Sequence, residues 1–80
     1  MTYRVSFTPR AKREFDALPA ELQPRIEARL AGLTENPRPR DALKLRVRVG
    51  TYRILYQVED EVLLILVVRV GHRRDVYHPH

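Results

Sequence analysis

The fold of this chain is decided by residues 43–56, which read Leu43-Lys44-Leu45-Arg46-Val47-Arg48-Val49-Gly50-Thr51-Tyr52-Arg53-Ile54-Leu55-Tyr56. Apolar and cationic residues alternate from position 43 to position 49, which is typical of a strand with one buried face. Gly50-Thr51 fits a two-residue turn of type II′, which has Gly at its first central position. The pattern therefore predicts a β-hairpin with strands at about residues 43–49 and 52–58.

The register of this hairpin places three arginines on one face of the sheet. With a turn at Gly50-Thr51, Arg48 lies opposite Arg53, and Arg46 lies opposite Leu55. Like charges directly opposite each other in a ladder destabilise a sheet. A bound polyanion would relieve that repulsion, so we interpret the arrangement as a phosphate-binding face, turned away from the helices.

Composition indicates one small domain, residues 1–80, with a basic surplus. Hydrophobic residues make up 44% of the 80 positions, enough for a packed core. The net charge is +5, and 13 of the 15 basic residues are arginine, whose planar guanidinium binds phosphate with two parallel hydrogen bonds. Residues 38–80 hold nine bases and five acids. Nucleic acid is the first partner to consider, and an acidic protein is the alternative.

Several classes of protein are disfavoured by what the sequence lacks. Without cysteine there are no disulfides, thiol nucleophiles or cysteine zinc sites. Residues 1–4 lack the apolar region of a signal peptide, and the longest apolar run, residues 62–68, is too short for a bilayer. We therefore expect a cytoplasmic protein without a membrane partner. His72, His78 and His80 show no ligand spacing with carboxylates, so neither a metal nor another cofactor is expected.

The first half of the chain predicts a strand followed by two helices. Alternation of Tyr3, Val5 and Phe7 with polar residues predicts a strand at about residues 2–7. Thr8-Pro9 is typical of a helix start, with Thr at the N-cap and Pro in the first helical position. The first helix should end near residue 17, before Pro19.

A second helix is predicted from four leucine and isoleucine positions at helical spacing, namely Leu22, Ile26, Leu30 and Leu33. Because Pro24 would remove a hydrogen bond from a helix that began at Pro19, the regular helix should start near Gln23 after a looser turn. Asn36-Pro37 should end it.

The last predicted strand, about residues 62–70, is apolar on both faces, which is typical of a central strand. It should follow a turn at residues 59–61, in either of two registers, and lie between the first and third strands. The predicted fold class is α+β, with the order β-α-α-β-β-β and two helices packed on one face of a small, mostly antiparallel sheet.

The hairpin together with residues 67–77, Val67-Val68-Arg69-Val70-Gly71-His72-Arg73-Arg74-Asp75-Val76-Tyr77, resembles the RelE toxins of bacterial and archaeal toxin–antitoxin systems. The segment with Phe15, Leu18-Pro19 and the helix ending at Asn36-Pro37 is similar as well. The resemblance covers nearly the whole chain and implies a RelE-like fold. ParE-like toxins share the hairpin and the Val-Gly-His-Arg stretch.

The resemblance also implies a catalytic site. The positions that match basic residues and the closing Tyr of RelE toxins are Arg46, Arg48, Arg53, Arg73 and Tyr77. The neighbouring Lys44, His72 and Arg74 are expected to contact RNA. Such toxins cut the mRNA codon in the ribosomal A site without a metal, by attack of a 2′-hydroxyl on the adjacent phosphate. The products are a cyclic phosphate and a 5′-hydroxyl.

The identity of the general base stays open at this stage. RelE toxins commonly carry Lys at the paired positions that here hold Arg46 and Arg48, and arginine does not lose its proton in a protein. The base is therefore Tyr77, a histidine, or a group of the RNA or ribosome.

Three functions are compatible with the resemblance. The first is a ribosome-dependent mRNA endoribonuclease held inactive by an acidic, partly disordered antitoxin, in a toxin–antitoxin hetero-oligomer. The second is a ParE-like toxin that binds DNA gyrase, and the third is a degenerate, non-toxic binding module. The joint presence of four arginines and the closing tyrosine favours the first.

Overall fold

The first strand and first helix follow the local sequence signals. In a computed structural model, which describes residues 2–39 and 45–72, β1 spans Arg4–Phe7 and α1 spans Pro9–Asp16. The Thr8 hydroxyl accepts a hydrogen bond from the backbone N–H of Ala11 at 3.1 Å, and Pro9 occupies the first helical position. The predicted N-cap is therefore confirmed.

The second helix, α2, spans Leu22–Glu35 and starts one residue before the predicted position. Pro24 is its third residue, where a backbone N–H has no partner within the helix, so the missing donor costs little. A turn precedes it, closed by a hydrogen bond from the Leu22 N–H to the Pro19 carbonyl. The helix ends before Asn36-Pro37 as predicted.

The predicted hairpin forms with the predicted register. Strand β2 spans Arg46–Val49 and β3 spans Tyr52–Glu59. Gly50 has a φ of +61°, as the first position of a II′ turn requires. The first strand of the hairpin is predicted at about residues 43–49, and its inclusion of Leu45 is wrong. Leu45 has a φ of +58°, and this left-handed backbone interrupts the extended chain before β2.

The last strand, β4, spans Leu64–His72 and lies between β1 and β3, as predicted for a strand that is apolar on both faces. It is parallel to β1 and antiparallel to β3. A short 3₁₀ turn, Asp60–Val62, precedes it. A bulge shifts the β3–β4 register between Leu55, which faces Arg69, and Tyr56, which faces Val67.

Two helices cover one face of this four-stranded sheet, in the order β1-β4-β3-β2, so the predicted α+β fold is confirmed. The core joins the inner faces of both helices to alternate residues of the strands. Its fully buried side chains include Ile26 and Leu33 from α2, Ile54 from β3 and Ile65 from β4. Within residues 2–39 and 45–72, no helix is long and apolar enough to cross a membrane.

An exposed cluster at the end of the sheet away from the Gly50 turn ties the chain start to the loop after α2. The Tyr3 hydroxyl donates to Asp60 Oδ1 at 2.7 Å, and the Arg38 guanidinium contacts both Asp60 oxygens at 3.0 and 3.3 Å. The hydrogen bond from Arg38, followed by that from Tyr3, lowers the pKa of the Asp60 carboxyl from its ordinary value. The hydrogen bond that the Tyr3 hydroxyl donates to Asp60 raises the pKa of Tyr3.

This cluster predicts a pH dependence of stability. Because the pKa of Asp60 is lower in the folded chain than in the unfolded chain, its contribution is present above the unfolded value of about 3.9 and is lost as pH falls through the folded value. The variant Asp60→Asn should therefore lower the melting temperature slightly at neutral pH, and by progressively less as pH falls below the unfolded value. A loss in thermal unfolding that stays the same between neutral and acidic pH would contradict the prediction.

Candidate functional site

The three predicted arginines lie on one face of the sheet, opposite the helices. In the β2–β3 ladder Arg48 faces Arg53 and Arg46 faces Leu55, so all three side chains leave the sheet on the side away from the core residues Val47 and Ile54. We call Arg46, Arg48 and Arg53 the cationic face. This placement agrees with the sequence prediction.

The three arginine residues differ in exposure. Arg48 is exposed, Arg46 is partly buried, and Arg53 is only 8% exposed. On β4 the residue opposite Arg53 is Gly71, which adds no side chain to this face. Arg53 is thus a cation held within the sheet surface, with an exposed cation of the same sign directly across the ladder.

No acid within the part of the chain that the structure describes pairs with Arg48. The repulsion between Arg48 and Arg53 is therefore not balanced by a carboxylate at Arg48 itself. An array of guanidinium donors on a rigid ladder is an arrangement that can bind a phosphate through charge-assisted hydrogen bonds. The cationic face is therefore suited to binding phosphate.

His72 does not lie on the cationic face. It faces Tyr52 in the β3–β4 ladder, one position beyond Gly71, and therefore projects from the side of the sheet that carries the helices. The two rings meet edge to face, with centroids 5.7 Å apart and planes at 80°. The sequence motif groups His72 with the arginines, but strand alternation separates them.

The end of β4 is held by a carboxylate that sequence reasoning missed. Strand β1 ends at Phe7 opposite Val67, and from there α1 runs along the edge of β4. Glu14 accepts the Val70 N–H at 2.8 Å and the Arg69 Nε at 2.9 Å. The Glu14 and Arg69 side chains are 23% and 19% exposed. Glu14 therefore takes the place of a neighbouring strand next to the cationic face.

The remaining predicted site residues, Lys44, Arg73, Arg74 and Tyr77, lie outside the described residues. Their predicted roles therefore stay predictions, as do those of Arg46, Arg48, Arg53 and His72. In the described ranges, 2–39 and 45–72, no three histidine or acidic side chains come together in a group that could hold a metal ion.

Comparison with known proteins assigns the chain to a family. A sequence model of the family described as "ParE toxin of type II toxin-antitoxin system, parDE" matches residues 5–77. The chain belongs to this family of type II toxins.

Curated relatives of this toxin carry RelE-type names. It is 34% identical to Toxin RelG of Mycobacterium tuberculosis, with 96% of this chain and 98% of the relative covered. It is 31% identical to the mRNA interferase toxin RelE of Escherichia coli, with 91% and 85% covered. The predicted membership of the RelE/ParE superfamily is thus confirmed.

Solved structures of RelE proteins share the fold of this toxin. The intact Escherichia coli RelBE toxin–antitoxin complex contains a chain that superposes with a TM-score of 0.79 at 27% identity, covering 88% of this chain and 95% of that one. The archaeal RelE–RelB complex from Pyrococcus horikoshii gives a TM-score of 0.80 at 28% identity, covering 91% and 97%. Both structures contain a toxin bound to its antitoxin.

Proposed function

We propose that this toxin is a RelE-type endoribonuclease that cleaves mRNA in the ribosomal A site and thereby inhibits translation. The observation that carries the proposal is the cationic face, where Arg48 and Arg53 face each other directly in the ladder. Arg48 is exposed and no acid in the described part of the chain pairs with it, so this face offers guanidinium donors to a phosphate ligand. The resemblance to proteins named mRNA interferase supplies the substrate class.

In the proposed reaction the RNA itself supplies the nucleophile. The 2′-oxygen of one nucleotide forms a bond to the adjacent phosphorus, while the bond from phosphorus to the 5′-oxygen of the next nucleotide breaks. The 2′-hydroxyl gives its proton to a base, and the leaving oxygen takes up a proton to become a 5′-hydroxyl. Arg46, Arg48 and Arg53 would donate hydrogen bonds to the phosphorane oxygens, where charge develops. No metal takes part in this scheme.

The geometry narrows the choice of base. His72 is the one histidine in the described part of the chain, and it projects from the opposite face to the arginines. We therefore assign no proton transfer to His72. Tyr77, the histidines at positions 78 and 80, and groups of the RNA or ribosome remain as proposed bases, and Arg73 remains a proposed phosphate ligand.

The proposed partners are ribosome-bound mRNA and a cognate antitoxin, in a cytoplasmic hetero-oligomer. The solved neighbours are complexes of RelE with RelB. An apolar groove of about 330 Å³ lies between β1 and the two helices, lined by Val5, Phe7, Lys12, Phe15, Glu27, Leu30 and Ala31. We propose that an acidic, partly disordered antitoxin segment folds into this groove and covers its apolar wall.

The proposed function predicts cuts in translated mRNA that keep the phase of the codons. After induction of the toxin, primer extension should reveal 5′-hydroxyl ends at one position within successive codons, and only in messages that are being translated. The variant Arg48→Ala should reduce these cuts about tenfold or more. This is less than the loss of about a hundredfold or more that is typical of a preorganised, water-shielded donor, because Arg48 is exposed. Cuts in untranslated RNA, or none at all, would contradict the proposal.

A ParE-like activity against DNA gyrase is the second candidate, because the matching family model is described as ParE toxin. Induction would then produce DNA breaks that depend on gyrase and would leave mRNA intact. The same induced cells therefore separate both candidates from a degenerate, non-toxic binding module, which would produce neither effect.

A further inference from the structure

The tip of the β2–β3 hairpin carries aromatic rings on the helix side of the sheet and an exposed cation on the other side. Across the ladders, Val49, Tyr52 and His72 form one row on the helix side, directly beside the Gly50-Thr51 turn. Tyr52 is partly buried and His72 is exposed, so the helices leave the end of this row open. On the other side of the same hairpin lies exposed Arg48.

Arg25 of α2 reaches the same tip from the helix side. A methyl group placed on Gly50 would lie 3.6 Å from the Arg25 Nη2 atom, in ordinary contact. Arg25 is exposed, and no acid in residues 2–39 and 45–72 pairs with it. The Arg25 guanidinium therefore lies beside the backbone of the turn, on a residue that is exposed to solvent.

We propose that Arg25, Tyr52 and His72, which we call the tip surface, form a second RNA contact, so that RNA bends around the hairpin tip and touches both faces of the sheet. The inference deepens the proposed function and rests on it. In this arrangement the scissile phosphate binds the cationic face. A phosphate further along the same RNA binds Arg25, and a base packs against the exposed His72 ring.

Chemistry favours RNA over a protein partner at this surface. An RNA backbone carries a negative phosphate at every nucleotide. One strand that passes around the exposed Gly50-Thr51 turn can therefore place a phosphate beside Arg48 on one side and another beside Arg25 on the other. Proteins that bind single-stranded RNA combine such cations with aromatic side chains on which bases stack. The edge-to-face contact with Tyr52 holds the His72 ring in a fixed orientation, ready to receive a base.

The test compares two tip variants with a matched control. Arg25→Ala and His72→Ala remove one element each, and Arg4→Ala removes an exposed arginine that lies opposite Leu64, at the far end of β4 from His72. The probe is the 70S ribosome carrying a defined mRNA whose A-site codon has 2′-deoxy sugars, so that the 2′-hydroxyl needed for the proposed cleavage is absent. Binding of full-length toxin is measured between about 50 and about 200 mM salt, a range over which phosphate contacts are lost.

Each tip variant should leave its own signature. Arg25→Ala should weaken binding and make its salt dependence shallower, by about one in the logarithmic slope, so wild-type affinity should fall about fourfold more over this range than that of the variant. His72→Ala should weaken binding about fivefold without changing the slope at neutral pH, as expected for a lost stacking contact. Arg4→Ala should match wild type.

The outcomes distinguish a failure of the tip surface from a failure of the proposed function. If wild-type toxin binds programmed ribosomes and both tip variants behave like Arg4→Ala, the tip surface is wrong and the proposed function stands. If wild-type toxin neither binds these ribosomes nor cleaves their normal mRNA, both proposals are wrong. Antitoxin binding and melting temperature of each variant should equal those of wild type, and a drop in either would assign the residue to folding instead.

Discussion

Replacing Arg53 with alanine should slow cleavage of ribosome-bound mRNA by about a hundredfold, which corresponds to about 3 kcal/mol of transition-state stabilisation. Arg53 is the most enclosed of the three cations, and its place in the ladder is fixed between Arg48 and Gly71. A donor that is already oriented and shielded from water stabilises developing charge more than a mobile surface arginine does. The effect should therefore exceed that of Arg48→Ala.

The measurement is the single-turnover rate at saturating ribosome concentration. Arg53→Lys serves as the companion variant, because it keeps the charge and removes the planar pair of donors. It should fall between alanine and wild type. A folded Arg53→Ala protein that cleaves at the normal rate would show that Arg53 supports the sheet and not the reaction.

Replacing Glu14 with alanine should lower the free energy of unfolding by about 2–3 kcal/mol. The Glu14 carboxylate satisfies two donors at once, the Val70 backbone N–H and the Arg69 guanidinium, at a partly buried strand edge. Its removal leaves an enclosed N–H and an enclosed charge without their partner. Glu14→Gln keeps an oxygen for Val70 and should lose only about half as much, since the neutral hydrogen bond remains.

Another acid of the same helix offers a matched control. Asp16 forms an ion pair with Lys12 at 2.8 Å, but both side chains are more than half exposed. Exposed pairs of this kind contribute little, so Asp16→Ala should cost no more than about 0.5 kcal/mol. Chemical unfolding of the variants would measure the difference, and equal losses from Glu14→Ala and Asp16→Ala would contradict the assigned role of Glu14.

Local signals account for what the sequence predicted well. Thr8-Pro9 and Gly50-Thr51 each encode a backbone conformation within a few residues, so the start of α1 and the register of the hairpin follow from sequence alone. The apolar run in β4 predicts a central strand because it leaves no polar face for solvent. Alternation along the hairpin then places the three arginines together.

Features that depend on distant parts of the chain were not predictable in the same way. Nothing near Glu14 in the sequence points to Val70, its partner 56 positions later. The bulge between Leu55 and Tyr56 could not be predicted, because β4 is apolar on both faces and its pattern does not mark where the register shifts. The side of the sheet on which His72 lies is predictable from strand alternation, because His72 is two positions after apolar Val70. The motif, in contrast, groups His72 with its neighbours in sequence.

The parallel pairing of β1 with β4 also dictates when the molecule can assemble. Val5 pairs with Ile65, which lies 60 positions later in the chain, and the strand between β1 and β3 is the last of the four to be synthesised, Leu64–His72. A two-stranded hairpin is only marginally stable by itself, so Arg48 and Arg53 gain a rigid support only when β4 has joined. A nascent chain therefore stays without a finished sheet until β4 has left the ribosome. If the proposed target is correct, the topology of the sheet protects the ribosome that makes this toxin until β4 has been synthesised and has joined the sheet.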